Sequence, residues 1–139
     1  MTSLSFPDLN VWLALIMHDH VHSMQARRWW KQTESRIAFH RRTQMGILRL
    51  LTTVAAMAGE PLTMAEAWSV YERFYEDDRV CFLGEPIQVD ALFKKHTEGY
   101  AASPKVWADA WLLAFAQASG GRLITFDHAL TERGACCLL

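Results

Sequence analysis

Three aspartates stand where a negative charge needs a reason. Asp8 ends the short apolar stretch Leu4-Ser5-Phe6-Pro7. Asp109 lies inside the alanine-rich run Val106 to Ala118, and Asp127 follows the β-rich burst Leu123-Ile124-Thr125-Phe126. An ionised carboxylate in an apolar setting is costly unless something compensates it. One cause would serve Asp109 and Asp127 together: they converge on a cation. Carboxylates that approach one another repel, and at least one protonates unless a cation neutralises them. No serine or cysteine nucleophile with a histidine and an acid competes for the role of reacting centre.

The elements around these acids can be read from local chemistry. Ser103-Pro104 predicts a helix start, since serine can cap free amides and proline fits the first turn. Gly120-Gly121 predicts its stop, and Asp127 falls where the following strand gives out. Near the N-terminus, Leu4 to Asp8 reads as a first strand, followed by a helix from Val11 to about Met17. Alone, Asp8 reads as a helix cap. The mirrored placement of Asp127 turns that reading toward a site, because open α/β sheets bind ligands beyond the carboxyl ends of their strands.

Between these ends the spacing predicts a helix over 23–33, a strand at Arg36–Phe39 and a helix from Thr43 to about Met57. The capping box Thr63-Met64-Ala65-Glu66 opens a helix to about Glu76. A strand over Val80–Leu83 and a helix from Gln88 to about His96 precede the central helix, and the tail 135–139 can add an edge strand. Strands alternating with helices argue for an α/β fold with one parallel sheet covered on both faces.

Composition narrows the classes. The chain has 139 residues, 51% of them apolar and 21% charged, which suits one packed domain over residues 1–139 rather than a disordered chain. A net charge of -1 gives no global basic field. Locally, residues 22–49 carry seven lysines and arginines against Glu34, whereas residues 66–90 carry seven acids against Arg73 and Arg79. Cys81, Cys136 and Cys137 have neither metal nor disulfide spacing and read as reduced thiols of a cytoplasmic protein. No apolar run reaches membrane-spanning length. His18, Asp19, His20 and His22 form a polar loop without the paired spacing of structural zinc sites, and read as a solvated turn.

Three stretches, PDLNVWLAL, TQMGILRLLT and WADAWLLAFAQASGGRLITFD, in this order and covering nearly the whole chain, resemble the PIN domain of VapC-type toxins. The resemblance implies a PIN-like three-layer α/β/α sandwich with a central parallel sheet. It also implies a ribonuclease that is the toxin of a toxin–antitoxin pair. Its clustered acids hold Mg²⁺ or Mn²⁺, it forms a homodimer, and it partners a VapB-like antitoxin. Asp8, Asp109 and Asp127 match the family's metal-holding acids. Thr125 matches a hydroxyl beside the site, and Asn10 a polar position two residues after the first acid. Gln44 is a departure, since many PIN domains have a glutamate there. One carboxylate fewer leaves less charge for a second cation. Arg41, Arg42 and Arg49 are candidates for holding the RNA backbone.

The donor chemistry agrees with a hard cation, which takes oxygen ligands and keeps several waters. The resemblance implies hydrolysis of RNA by metal-activated water, leaving a 5′-phosphate and a 3′-hydroxyl. Two other readings start from the same outline. A receiver domain phosphorylated on aspartate wants paired acids after the first strand and a lysine after a late one, and neither follows Phe6 or Ile124. A catalytically inactive PIN-fold binding module is favoured by Gln44 and opposed by the three intact aspartates. Which RNA is cut is not written in one chain, because readout of single-stranded RNA depends on loop shape and stacking.

Overall fold

The computed structural model describes residues 3–139. Five parallel strands form one sheet in the order β3-β2-β1-β4-β5, with β1 Leu4–Pro7 at its centre, β2 Arg36–Phe39 and β3 Val80–Phe82 to one side, and β4 Arg122–Thr125 and β5 Cys136–Cys137 to the other. Helices α1 Leu9–Ile16, α2 Ser23–Gln32, α3 Arg41–Leu51 and α4 Met64–Arg73 cover one face. Helices α5 Val89–Thr97 and α6 Val106–Ala118 cover the other. This is the three-layer α/β/α arrangement expected from the sequence.

Period-two alternation divides the core. In β2, Ile37 and Phe39 pack with Trp12, Ile47 and Tyr71 toward α1–α4, while Ala38 joins Phe6, Phe115 and Leu123 toward α5 and α6. Trp12 is fully buried and stacks on Phe39 with ring centroids 3.7 Å apart. Its Nε1 has no hydrogen-bond partner among the described residues, a cost offset by the apolar area the ring removes from water.

Two glycines explain how α6 reaches β4. Gly120 has φ +73°, and the Gly120 and Gly121 amides donate to the carbonyls of Gln117 and Ala116, closing the helix in a left-handed cap. Gly121 is fixed for a different reason: a Cβ there would lie 2.6 Å from the Phe6 ring and 2.7 Å from the Leu4 carbonyl oxygen.

Several boundaries differ from the sequence reading. Helix α1 starts at Leu9 rather than Val11, because Asp8 caps it. Helix α3 starts at Arg41, where His40 and Thr43 cap each other reciprocally. It ends at Leu51, well before Met57, where the Thr52 and Thr53 hydroxyls bond the carbonyls of the last turn and compete with further helix. Helix α4 gives way to a 3-10 turn at Phe74–Glu76. The Ser103 side chain does not cap α6. The helix begins at Val106, whose amide bonds the Ser103 carbonyl instead. The Thr63–Glu66 capping box forms as expected.

Candidate active site

Parallel strands bring all their carboxyl ends to one edge, and the acids gather there. The Asp8 amide donates to the Ile124 carbonyl at 2.8 Å, tying the chain after β1 to β4. The Asp8 carboxylate has two roles. Oδ1 accepts from the Val11 amide at 3.1 Å and caps α1, while Oδ2 accepts from the Thr125 hydroxyl at 2.6 Å. The cap and the site are therefore the same residue. Thr125 is fully buried, and its Oγ1 also accepts from the Asp127 amide at 3.1 Å. Asp127 in turn accepts from the Ala129 amide at 2.9 Å and starts the 3-10 segment His128–Arg133.

Asp109 comes in from the first turn of α6. With Asp8, Asn10, Thr125 and Asp127 it lines an open bowl of about 460 Å³ at the sheet edge. The bowl is electrostatically unsatisfied. Burial, and then the neighbouring Asp109 charge, push the Asp8 carboxyl above its ordinary value, against the pull of hydrogen bonds from Thr125, Val11 and Asn10. Burial and the Asp127 charge push Asp109 up as well, with Arg133 pulling the other way. Among the described residues, the one lysine or arginine ion pair joins Arg79 to Asp77, away from the bowl.

This donor set fits a hard divalent cation: three carboxylates, a hydroxyl and an amide, all offering oxygen. Among the described residues, no three acidic, histidine or cysteine groups stand close enough to enclose an ion on their own. Mg²⁺ does not require such a cage, since it commonly takes one or two carboxylates and keeps its waters.

The other sequence candidates lie elsewhere. Gln44 is buried in the first turn of α3 and does not line the bowl; its Oε1 accepts from Arg41 Nη1 at 2.5 Å. Arg41 and Arg42 sit at the start of α3, above Phe82 and Trp111 respectively. Arg49 is exposed in the last turn of that helix. Two residues read only as part of a solvated turn, His20 and His22, form a wall of the bowl against the Phe126 ring at 6.0 and 4.8 Å. Their alternation in sequence was the available signal, but only the sheet order places that turn beside β4.

The chain matches the PIN domain over residues 5–135. The chain belongs to the PIN-domain family. Among curated proteins, Ribonuclease VapC41 of Mycobacterium tuberculosis is 41% identical over 91% of each chain. Ribonuclease VapC44 of the same organism is 33% identical, over 88% of this chain and 85% of the other. The crystal structure of M. tuberculosis VapC20, described as a sarcin-ricin loop cleaving toxin, superposes with a TM-score of 0.64. The match covers 94% of this PIN domain and 95% of VapC20, at 14% identity, a likeness of fold.

Proposed function

We propose that this PIN protein is a VapC-type toxin: an endoribonuclease that hydrolyses RNA phosphodiesters with a divalent cation, Mg²⁺ or Mn²⁺, held by Asp8, Asp109 and Asp127 directly or through the cation's own waters. The observation that carries this reading is the Thr125–Asp8 bond. It brings the ends of the first and fourth strands together in a bowl that Asp109 completes. The VapC ribonucleases that align along most of the chain support the same reaction class.

Each side chain then has a definite task. Thr125 fixes the Asp8 carboxylate and the Asp127 backbone with one hydroxyl. Asp109 adds its charge from α6, and Asn10 offers a neutral amide at the rim. When bound, the cation supplies water activation and neutralises charge at the scissile phosphate. Arg41 and Arg42 hold the flanking phosphates, and Arg49 extends the basic surface along α3.

The partner belongs to this proposal too. Between α1 and α4 runs a groove floored by Leu15, Val70 and Phe74 and edged by His18, Arg73 and Glu76. Its shape suits an amphipathic helix of a VapB-like antitoxin. We include the homodimer and a cytoplasmic site of action. Among the described residues no helix is long and apolar enough to cross a membrane.

The test is RNA cleavage with Mg²⁺, with Mn²⁺ and with EDTA, alongside Asp8→Asn and Asp109→Asn. Metal-dependent cleavage that both substitutions abolish establishes the reading. If folded protein cuts no RNA with either metal, the inactive binding module, which Gln44 favours, takes its place.

A further inference from the structure

A second cleft opens at the same sheet edge, on the other side of the first turns of α6. It is about 460 Å³ and is bounded by His40, Arg41, Arg42, Phe82, Glu85 and Trp111. Asp8 follows β1 and His40 follows β2; those strands are paired neighbours, spaced by about 4.8 Å. Asp109 and Trp111 leave the same helix two residues apart. The two clefts are thus adjacent stations along one edge.

Its walls alternate arginines with aromatic faces. The Arg42 guanidinium carbon stands 5.3 Å from the Trp111 ring centre, and that of Arg41 4.9 Å from the Phe82 ring centre. Gln44 Oε1 holds Arg41 from behind. The Trp111 ring is steadied from two sides. Its Nε1 donates to Glu85 Oε1 at 3.0 Å, and the His40 ring meets it edge-on at 5.0 Å. Phe82 remains exposed, at 37%. Guanidinium planes and aromatic rings are surfaces on which unpaired bases stack. A carboxylate between them accepts hydrogen bonds and donates none, so it selects a base edge rich in N–H groups.

We propose that this cleft is a nucleobase subsite of the RNA-cleaving site. An unpaired guanine stacks on Trp111, presents its N1–H and N2–H donors to Glu85, and has its flanking phosphates held by Arg41 and Arg42. The inference rests on the ribonuclease reading for its substrate, and it assigns that substrate a preferred base next to the cut. Gln44, the residue that departs from the family pattern, belongs to this cleft as the anchor of Arg41.

The test uses the full chain in EDTA, with fluorescent oligouridine that does or does not carry one central guanosine. Wild-type protein is expected to bind the guanosine-containing strand about tenfold more tightly, the discrimination of one bidentate base contact. Glu85→Gln keeps an oxygen for Trp111 and should erase that preference. Trp111→Ala should weaken binding about tenfold, with Trp111→Phe restoring much of it. Arg42→Ala, at an exposed position, should weaken both strands alike and reduce the salt dependence. No guanosine preference in the wild type, or one unchanged by Glu85→Gln and Trp111→Ala, overturns the subsite. If Asp8→Asn still abolishes metal-dependent cleavage in that case, the ribonuclease reading survives. Guanosine-selective binding without metal-dependent cleavage has the opposite meaning: the base pocket stands and the ribonuclease reading falls.

Discussion

The Thr125 hydroxyl donates to Asp8 Oδ2 at 2.6 Å across 117 positions of sequence, and accepts from the Asp127 amide on its other side. One buried oxygen therefore sets the separation of two acids. Thr125→Val keeps the volume and removes the link, leaving a half-buried carboxylate oxygen unpaired. It should cost about 1–3 kcal/mol in stability and about 10–100-fold in activity, as loss of a ligand-orienting group does. Thr125→Ser should recover most of both. Thermal unfolding and cleavage rates measured on the pair decide it, and equal activity in Val and Ser variants would rule out the positioning role.

Asp109 is held above its ordinary pKa by burial and the Asp127 charge, so without a neutralising cation its ionised form burdens the fold. Asp109→Asn should unfold at a higher temperature than wild type in EDTA while losing about 100-fold or more in cleavage. Added Mg²⁺ should stabilise wild type and leave the variant nearly unchanged. A variant that melts lower in EDTA contradicts the electrostatic account.

His40 gives the fold its acid sensitivity. Burial first, then the Arg42 charge, lowers its pKa from 6.5 to about 4, and its Nδ1 accepts from the Thr43 amide. The unfolded chain takes up a proton near 6.5 and the folded one resists until about 4. Stability is therefore lost as pH falls through that window, by up to roughly 3 kcal/mol from this residue. Asp8 and Asp109, raised above 3.8, work the opposite way: they relieve strain as pH falls toward their own raised values. His40→Asn retains a cap and should flatten the loss between pH 6.5 and 4. Denaturant midpoints across that range provide the check.

Gln44→Glu is expected to strengthen the contact to Arg41 without adding a metal ligand, because the side chain faces Arg41 and not the bowl. Mg²⁺ affinity, read by calorimetry, should stay within about threefold of wild type, inside the scatter of a surface-type ion pair. A marked tightening would place residue 44 among the ligands after all.

Arg79 separates folding from function. It donates to both Asp77 oxygens and to the carbonyls of Trp30 and Thr33, and stacks on the Trp30 ring at 4.9 Å. Arg79→Ala should lower stability by about 1.5–3 kcal/mol, the range for charge-assisted bonds, yet leave cleavage per folded molecule unchanged at low temperature.

The parallel sheet, its two helical layers and the places of Asp8, Asp109 and Asp127 were all legible, because apolar bursts, glycine stops and stray acids are local signals. The end of α3 was not, since Thr52 and Thr53 halt it through hydroxyl bonds that helical periodicity does not register. Nor was the neighbourhood of His20 and His22, which depends on β4 inserting beside β1. In sequence, Gln44 reads as a weakened metal ligand. Its partner, Arg41, is a neighbour on the same helix turn, and only rotamers reveal that choice.

The order of the strands also has a meaning in time. The central strand is the first made, and its partner at the bowl is nearly the last. At ordinary elongation rates, on the order of ten seconds separate the synthesis of Asp8 from that of Asp127. Until residue 109 is made the nascent polypeptide carries one acid of the three, and until residue 125 it has no hydroxyl to orient that acid. The acidic bowl therefore cannot assemble until the chain is almost finished.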